Sequence, residues 1–242
     1  AEILLPLSPA RMDIPLELLA ERTSLPDFVG KWCAILPRVW RDRDEPQLRA
    51  WLTHAKKLGV TSALAGNIGH LSLLRDTGLI VRGDYGLNVF NSRALNYLRQ
   101  KGLSSACLSF ELRFPQLRDI QKVIPAEAIV YGRLPLMLTE NCLIRNRTGE
   151  CSCGAGPVKL IDRKGEEFRI VRDCGTCRSV VLNGKKLYLL DKREDLRRFG
   201  LWALRLSFTT ENPGEIDTVL SNLNAPFDPG ACTRGLYYRG VE

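Results

Sequence analysis

Residues 32–66 read WCAILPRVWRDRDEPQLRAWLTHAKKLGVTSALAG, and this stretch decides the fold class. It begins and ends with short apolar runs, WCAILP and TSALAG, whose length and composition are typical of buried strands. Between the two runs, Leu48, Leu52 and Ala55 recur at helical spacing and give residues 46–58 one apolar face. A strand, a helix and a second strand in this order indicate a βαβ unit with parallel strands.

The same alternation continues on both sides of this unit and predicts a parallel sheet covered by helices. Residues 1–140 and 193–242 are therefore expected to form a TIM-like (β/α) barrel, complete or lacking its first units, within the α/β class. A doubly wound open sheet is the alternative. The predicted strands are residues 3–7, 32–37, 61–66, 79–83, 106–110, 128–132 and 201–208, and the predicted helices are 15–22, 46–58, 68–76, 92–101, 115–123, 193–199 and 212–223.

Residues 141–192 interrupt this alternation. They begin with NCLIRNRTGECSCGAG and continue with the short β-like runs VKLID, EFRIV, SVVLN and KLYLLD. Lys164-Gly165 and Asn183-Gly184 lie between these runs and are typical of hairpin turns. The sequence therefore predicts a small cysteine-rich β insert in the barrel.

The composition is that of a globular protein with an excess of positive charge. The 242 residues carry a formal net charge of +8, and 45% of them are hydrophobic. Arginine outnumbers lysine by 25 to 10. Because guanidinium groups bind phosphates well, an anionic partner such as RNA is expected, and the alternative is a solvated basic surface. No apolar run approaches the roughly 20 residues of a membrane span. We therefore expect no membrane partner and, with reduced thiols, a cytoplasmic location.

The cysteines are clustered in a way that predicts a metal site. Five of the eight cysteines fall within 36 residues of the insert, and Cys232 lies near the C-terminus. The spacing is Cys142-x8-Cys151-x-Cys153 followed by Cys174-x2-Cys177. Thiolates in such a group bind either zinc or an iron–sulfur cluster, and the alternative is a set of free thiols. Cys33 and Cys107, which stand alone in apolar runs, are expected to be buried structural thiols.

Polar residues that directly follow the predicted strands are candidate site residues, because TIM-barrel enzymes place function there. Asn88 and Asn91 could hydrogen-bond a base or a carboxylate, and Arg133 could bind a carboxylate. The two glutamates could act as acid, base or orienting group. The alternative for each is a cap or a salt bridge. Near the C-terminus, arginines alternate with Tyr237 and Tyr238, which suits either RNA binding or a packed strap. The candidates are Asn67, Asn88, Asn91, Glu111, Arg133, Glu140, Arg234 and Arg239.

Several stretches resemble the collagenase-like peptidase family U32. They are YGRLPLMLTENCLIRNRTGECSC (131–153), CRSVVLNGKKLYL (177–189), LRLSFTTE (204–211) and TRGLYYRGV (233–241). The resemblance implies a TIM-like barrel with a cysteine-rich insert that holds a four-iron four-sulfur cluster. It also implies oxygen-independent hydroxylation of an RNA base, in rRNA or tRNA, with prephenate as the source of the hydroxyl group. In long family members such a barrel is one part of a larger chain, so the remaining domains are further expected partners.

Carried over residue by residue, the resemblance assigns the metal to Cys142, Cys151, Cys153 and Cys177. A cysteine that some family branches place after Asn183-x-x-x-Leu187 is absent, and Cys174 or Cys232 could substitute for one ligand. Zinc is the alternative metal. The competing functions are a peptidase and a non-catalytic RNA- or partner-binding barrel with a structural metal. The peptidase receives little support from the residues, because the sequence has neither an HExxH helix nor a GxSxG elbow.

Overall fold

The computed structural model describes residues 9–150, 158–173, 177–223 and 228–238, with the side chains of Thr148 and Asp173 left out. The chain divides into two compact units. The first unit comprises Ala1–Ile129, Lys192–Leu204 and Gly235–Glu242, and the second comprises Val130–Asp191 and Arg205–Arg234. The second unit thus contains residues 141–191 of the predicted insert together with residues 130–140 and 205–234.

The first unit is built on a parallel sheet whose strands lie in chain order, from β1 to β6. A doubly wound sheet reverses its strand order at a switch point, and no reversal occurs among these six strands. The arrangement is mixed α/β and is consistent with an incomplete barrel. The strands are β1 (Arg11–Pro15), β2 (Lys31–Ile35), β3 (Ser62–Ala65), β4 (Ile80–Gly83), β5 (Ser105–Cys107) and β6 (Ala126–Gly132), of which β6 ends in the second unit.

Helices follow these strands, as the sequence pattern predicts. Pro46 lies in the first turn of α2 and Gly59, with φ of +92°, follows its end, so both ends agree with the sequence. Leu48, Leu52 and Ala55 are buried on one face of α2, within the core of this unit. The helices of the first unit are α1 (Leu16–Ala20), α2 (Glu45–Lys57), α3 (His70–Leu74), α4 (Ser92–Gln100), α5 (Phe114–Asp119) and α7 (Arg193–Arg198).

Strand β1 is absent from the sequence-based prediction. The predicted strand 3–7 lies outside the described residues, and the observed strand has the sequence RMDIP. The sequence pattern does not indicate a buried strand here, because charged residues such as Arg11 and Asp13 are typical of a solvated loop. In the structure both charges are mostly buried and paired with each other, so a charged strand can lie inside the unit.

The second unit contains a four-stranded antiparallel sheet in the order β7-β10-β9-β8. The turn at Lys164-Gly165 closes the β8–β9 hairpin, as predicted. The prediction of a hairpin at Asn183-Gly184 is wrong, because β10 is flanked by β7 and β9 while β11 pairs with β6 and β13. The elements are β7 (Pro135–Thr139), α6 (Leu143–Thr148), β8 (Val158–Ile161), β9 (Glu167–Asp173), β10 (Arg178–Leu182), β11 (Lys186–Tyr188), α8 (Pro213–Ser221) and β13 (Cys232–Thr233), and β12 (Ala203–Ser207) begins in the first unit.

Gly132, at the end of β6, is required by a close approach of two backbones. Its φ is +123°, and a Cβ atom at this position would lie 2.0 Å from the carbonyl oxygen of Ser207. Only glycine combines that conformation with the absence of a side chain. Gly132 therefore lets β12 approach the strand that carries Tyr131.

Candidate functional site

The candidate metal centre lies at one end of the antiparallel sheet of the second unit. Thr139 at the end of β7 pairs with Ser179, and Asp173 at the end of β9 pairs with Arg178. Because the register of β8 with β9 is also antiparallel, β8 begins at this same end. The connections 140–157 and 174–177 therefore both attach to strand ends at one edge of the sheet. In the sequence these two connections contain the five clustered cysteines.

An ion pair joins the two connections. The Arg178 guanidinium donates from Nε and Nη2 to Oε1 of Glu140, at 3.0 and 2.8 Å. Glu140 is two residues before Cys142, and Arg178 directly follows Cys177. The pair therefore holds the segments of two predicted ligands at the same end of the sheet. Glu140, which the sequence suggested as an acid or base, has this structural partner, and its catalytic role stays a prediction.

Cys142 and Cys177 differ in their local geometry. Cys142 is buried at the start of α6, where its Sγ accepts a hydrogen bond from the backbone N–H of Arg145 at 3.4 Å. Hydrogen bonds of this kind to sulfur tune iron–sulfur sites. Cys177 has a left-handed backbone with φ of +55°, a conformation that non-glycine residues adopt at a cost and that tends to mark functional positions.

The remaining predicted ligands are only partly covered by the structure. Cys151, Cys153 and Cys174 lie outside the described residues, and Cys232 lies in β13, paired with Lys186 in β11. Within the described ranges, no group of three or more potential ligands from histidine, cysteine, aspartate and glutamate comes together. The four-cysteine ligand set therefore stays a prediction.

A second polar cluster in the same unit escaped the sequence analysis. The Lys186 ammonium lies 3.3 Å from Oε1 of Glu211 and 5.9 Å from the centre of the Tyr131 ring. Tyr131 donates its hydroxyl hydrogen bond to Glu211 at 3.4 Å. The Glu211 side chain has no exposed surface. The cluster thus joins residues from β6, from β11 and from the loop after β12, all within stretches that resemble the family. Glu211 follows an apolar strand, which is the signal by which the other candidates were chosen.

The electrostatics of this cluster favour its charged form. Burial raises the pKa of Glu211. Hydrogen bonds from the backbone N–H groups of Thr209 and Thr210, together with the charge of Lys186, lower it by more than burial raises it. The pKa of Glu211 therefore lies below its usual value. Burial raises the pKa of Tyr131, and Glu211 adds to this effect. The cluster therefore contains a carboxylate, an ammonium group and a protonated phenol at neutral pH.

Replacing Glu211 by glutamine is expected to lower the free energy of unfolding by roughly 1.5 to 3 kcal/mol, because Lys186 loses its buried charged partner. The stabilisation by the carboxylate is present above the pKa of Glu211 in the unfolded chain and is lost as the pH falls through its lower value in the fold. Urea unfolding at pH 7 and pH 4 measures both effects. The control is Glu215→Gln, which removes a half-exposed partner of the same lysine and is expected to cost less than about 0.5 kcal/mol. Equal losses in the two variants would contradict the interpretation.

Two predicted binding arginines of the second unit have backbone partners. Arg133 donates to the carbonyl oxygen of Asn183 at 2.9 Å and also to that of Gly184. Arg234 donates to the carbonyl oxygen of Tyr188 at 2.6 Å and pairs with Asp191. These contacts brace the two ends of β11, and binding of substrate by either residue stays a prediction. Arg239 lies outside the described residues.

Of the two tyrosines near the C-terminus, Tyr237 is packed and Tyr238 is exposed. Tyr237 is buried, and its ring centre lies 4.4 Å from that of Phe114. Its carbonyl oxygen accepts a hydrogen bond from the backbone N–H of Phe114 at 2.9 Å. Tyr238 is 63% exposed. The packed-strap alternative therefore applies to Tyr237, and only Tyr238 is accessible for stacking on a base.

In the first unit, three of the predicted residues have local structural roles. Asn91 caps α4, accepting a hydrogen bond from the N–H of Ala94 at 2.9 Å. Asn88 adopts a left-handed conformation with φ of +48° after a short turn of 3-10 helix, which asparagine tolerates well. Glu111 lies in the turn after β5, where its backbone N–H donates to Ser109 Oγ at 3.3 Å. The proposed roles of these three side chains in substrate binding or catalysis stay predictions.

Asn67 directly follows β3 and lines a cavity of about 670 Å³. Its side-chain oxygen accepts a hydrogen bond from the N–H of Gly69 at 2.8 Å. Arg38, which follows β2, and Arg93, in the first turn of α4, line the same cavity. Neither arginine is among the residues predicted from the sequence, although Arg38 follows an apolar strand in the same way as Asn67.

A buried charge network in the first unit was also missed. Arg11 donates from Nη1 and Nη2 to the two carboxylate oxygens of Glu127, both at 2.8 Å, and binds Asp13 at 2.6 and 3.0 Å. Glu127 accepts a further hydrogen bond from Ser105 at 3.3 Å. Glu127 is only 1% exposed, whereas Arg11 is 10% exposed. The network joins β1, β5 and β6 inside the unit, and we assign it a structural role.

Comparison with known proteins places the chain in a family. The model of a family described as "Peptidase family U32" matches residues 30–228. A search of curated proteins finds no match. Among solved structures, the spore cortex-lytic enzyme SleL of Bacillus megaterium is 11% identical with a TM-score of 0.37, over 81% of this chain and 60% of that one. A chitinase from Chromobacterium violaceum is 10% identical with a TM-score of 0.35, over 92% and 93% of the two chains. The chain thus spans about 60% of the length of the SleL structure.

None of the helices in the described ranges is both long enough and apolar enough to cross a membrane.

Proposed function

Because this chain belongs to peptidase family U32, we propose that it is an iron–sulfur enzyme that hydroxylates an RNA base without molecular oxygen. The observation that carries the proposal is the shared sheet end at which Cys142 and Cys177 lie. The other clustered cysteines belong in sequence to the same two connections. Convergence of cysteine-bearing connections on one edge is the arrangement that a common metal site needs.

The donor set of this edge fits such a cluster. Thiolates are the ligands that iron–sulfur clusters require, and Cys142 already accepts an N–H hydrogen bond. We assign the four-iron four-sulfur cluster to Cys142, Cys151, Cys153 and Cys177, in the insert of a TIM-like barrel. Cys174 or Cys232 is the substitute ligand and zinc is the alternative metal. When bound, an iron–sulfur cluster supplies one-electron redox chemistry.

Exposed arginines beside Cys142 support RNA as the substrate. Arg145 and Arg147 are exposed on α6, the helix that begins directly after this cysteine. Guanidinium groups bind phosphates through paired hydrogen bonds, so these side chains would hold the RNA backbone near the metal ligands. The net charge of +8 agrees with this assignment. Hydroxylation replaces a C–H bond of the base with C–OH, and prephenate is the proposed source of that hydroxyl group. If the group is delivered as hydroxide, the base loses one proton and two electrons, which a separate electron acceptor would take up.

Replacing Cys142 or Cys177 by serine is expected to abolish iron binding. Protein reconstituted anaerobically should contain about four irons per chain and absorb broadly in the visible range, and each variant should lose both signals. The control is Cys33→Ser: burial raises the pKa of the Cys33 thiol to about 12, so this residue is a poor metal ligand and its replacement should leave the iron content unchanged. Iron, sulfide and zinc analysis measures these outcomes.

Hydroxylation is tested separately, by mass spectrometry of nucleosides from RNA incubated with the loaded protein and prephenate. A base one oxygen heavier, absent with the Cys142→Ser protein, would support the proposal. One zinc per chain without colour would instead indicate a structural metal in a non-catalytic binding module. Peptide cleavage that persists after every clustered cysteine is replaced would favour the peptidase.

A further inference from the structure

We propose that the cavity at the carboxyl ends of β2, β3 and β4 binds a small organic anion that has one charged head group and an apolar body. The cavity lies wholly in the first unit and measures about 670 Å³, within the range of about 300 to 1,000 Å³ typical of small-molecule sites. All of its lining residues belong to the first unit, whereas the clustered cysteines belong to the second, and the inference does not depend on the proposed hydroxylation.

The charges that line the cavity are all positive. Arg38 and Arg93 line the cavity and are both exposed, and among the residues that the structure describes no acidic side chain lines it. Neither guanidinium forms an ion pair with any residue in the described ranges. Two guanidinium groups without carboxylate partners attract an anion, and their planar geometry suits a carboxylate or a phosphate.

The cavity wall also contains an uncharged hydrogen-bond donor, the side-chain amide of Asn67. The side-chain oxygen of Asn67 is occupied by the N–H of Gly69, which orients the amide and leaves its nitrogen as a donor. That amide and the two guanidinium groups come from three successive segments of the chain, which follow β2, β3 and β4. A head group with two or more oxygens could therefore accept hydrogen bonds from several of them.

The rest of the wall is apolar. Leu87, Val89 and Leu98 line the cavity, and Val89 and Leu98 are buried. Tyr97, which is 47% exposed, adds an aromatic ring. A ligand that is only an inorganic ion would leave these surfaces uncovered, whereas an apolar body would bury them and gain roughly 25 cal/mol per Å².

The backbones of two loops pack closely together at this site. A Cβ atom on Gly86 would lie 2.4 Å from the carbonyl oxygen of Gly66, so the loops after β3 and β4 are in direct contact. Both glycines line the cavity. The cavity is therefore preformed by the backbone, and a ligand need not order these two loops in order to bind.

The test is calorimetric titration of the intact chain with two anionic probes, phenyl phosphate and 3-phenylpropionate, and with the neutral 3-phenyl-1-propanol. At least one anion should bind and the alcohol should not. Binding of phenyl phosphate alone would identify a phosphate head group, and binding of 3-phenylpropionate alone a carboxylate. Binding of neither anion, or equal binding of the alcohol, would overturn the proposal.

Variants separate binding in the cavity from general attraction to a basic protein. Arg93→Gln should weaken binding of the anion roughly 10- to 100-fold, as expected for the loss of a charge-assisted hydrogen bond. The matched control is Arg99→Gln, an exposed arginine of the same helix that does not line the cavity, and it should leave affinity unchanged. Ala94→Leu, which narrows the cavity without changing charge, should also weaken binding. Equal effects of Arg93→Gln and Arg99→Gln, or full affinity of Ala94→Leu, would contradict the assignment.

Discussion

Replacing Glu127 by glutamine is expected to lower the free energy of unfolding by roughly 3 to 5 kcal/mol, the cost of breaking a buried ion pair by removing one partner. Glu127 is 1% exposed and both of its carboxylate oxygens accept hydrogen bonds from Arg11 at 2.8 Å. Glutamine has nearly the same shape but carries no charge. Arg11 would keep only Asp13 as a charged partner, in a site that water hardly reaches. Urea unfolding at neutral pH measures the loss.

The same substitution at the surface is the matched control. Glu45 and Arg49 form an exposed ion pair one turn apart on α2, at 2.7 Å. Glu45→Gln is expected to lower the free energy of unfolding by no more than about 0.5 kcal/mol. Solvent screens exposed ion pairs, and their charges stay hydrated in the folded chain. A loss at Glu127 as small as that at Glu45 would show that the buried network does not stabilise the first unit.

His70 is expected to lower the free energy of unfolding by about 2 kcal/mol as the pH falls from 7 to 5, and replacing it by leucine should abolish this decrease. His70 has no exposed surface, and burial lowers its pKa from 6.5 to about 4. The folded chain therefore holds this histidine neutral over a range in which the unfolded chain protonates it. The stability that results is present above about pH 6.5 and is lost as the pH falls from there towards 4.

The chain has one other histidine, which lies on α2. His54 is half-buried there, and its Nε2 lies 2.8 Å from the carbonyl oxygen of Arg22. Urea unfolding at pH 7 and pH 5, with and without the His70→Leu replacement, measures the change in slope. If His70→Leu keeps the same slope as the unaltered chain, His70 is not the group responsible.

Most of the secondary structure could be predicted from the sequence, because helices and strands are encoded by residues close together in the chain. Helix α2 illustrates this: Pro46, the apolar face at Leu48 and Leu52, and Gly59 all lie within one short segment. Strand β1 could not be predicted in the same way. Arg11 and Glu127 are 116 residues apart, and nothing near Arg11 indicates that its charge is buried.

The candidate site could likewise be predicted only in part from the sequence. The sequence singles out Cys142 and Cys177 as ligands and Glu140 as a catalytic residue, but only the register of β7, β9 and β10 places these segments at one end of a sheet. The ion pair between Glu140 and Arg178 depends on that register. Asn91 shows the opposite case: its cap on α4 is a local interaction, which the sequence analysis kept open as an alternative.

The sequence by itself determined the family, the alternation of strands and helices in the first unit, and the clustering of cysteines in the second. These features are carried by short motifs and by periodicity, which need no knowledge of distant contacts. Only the tertiary structure decided that β11 pairs with β6 instead of β10, that Lys186 meets Glu211, and that Arg38 and Arg93 share one cavity. The reason is physical: pairing of strands and of charges depends on which surfaces the folded chain brings together, and residues far apart in sequence supply those surfaces.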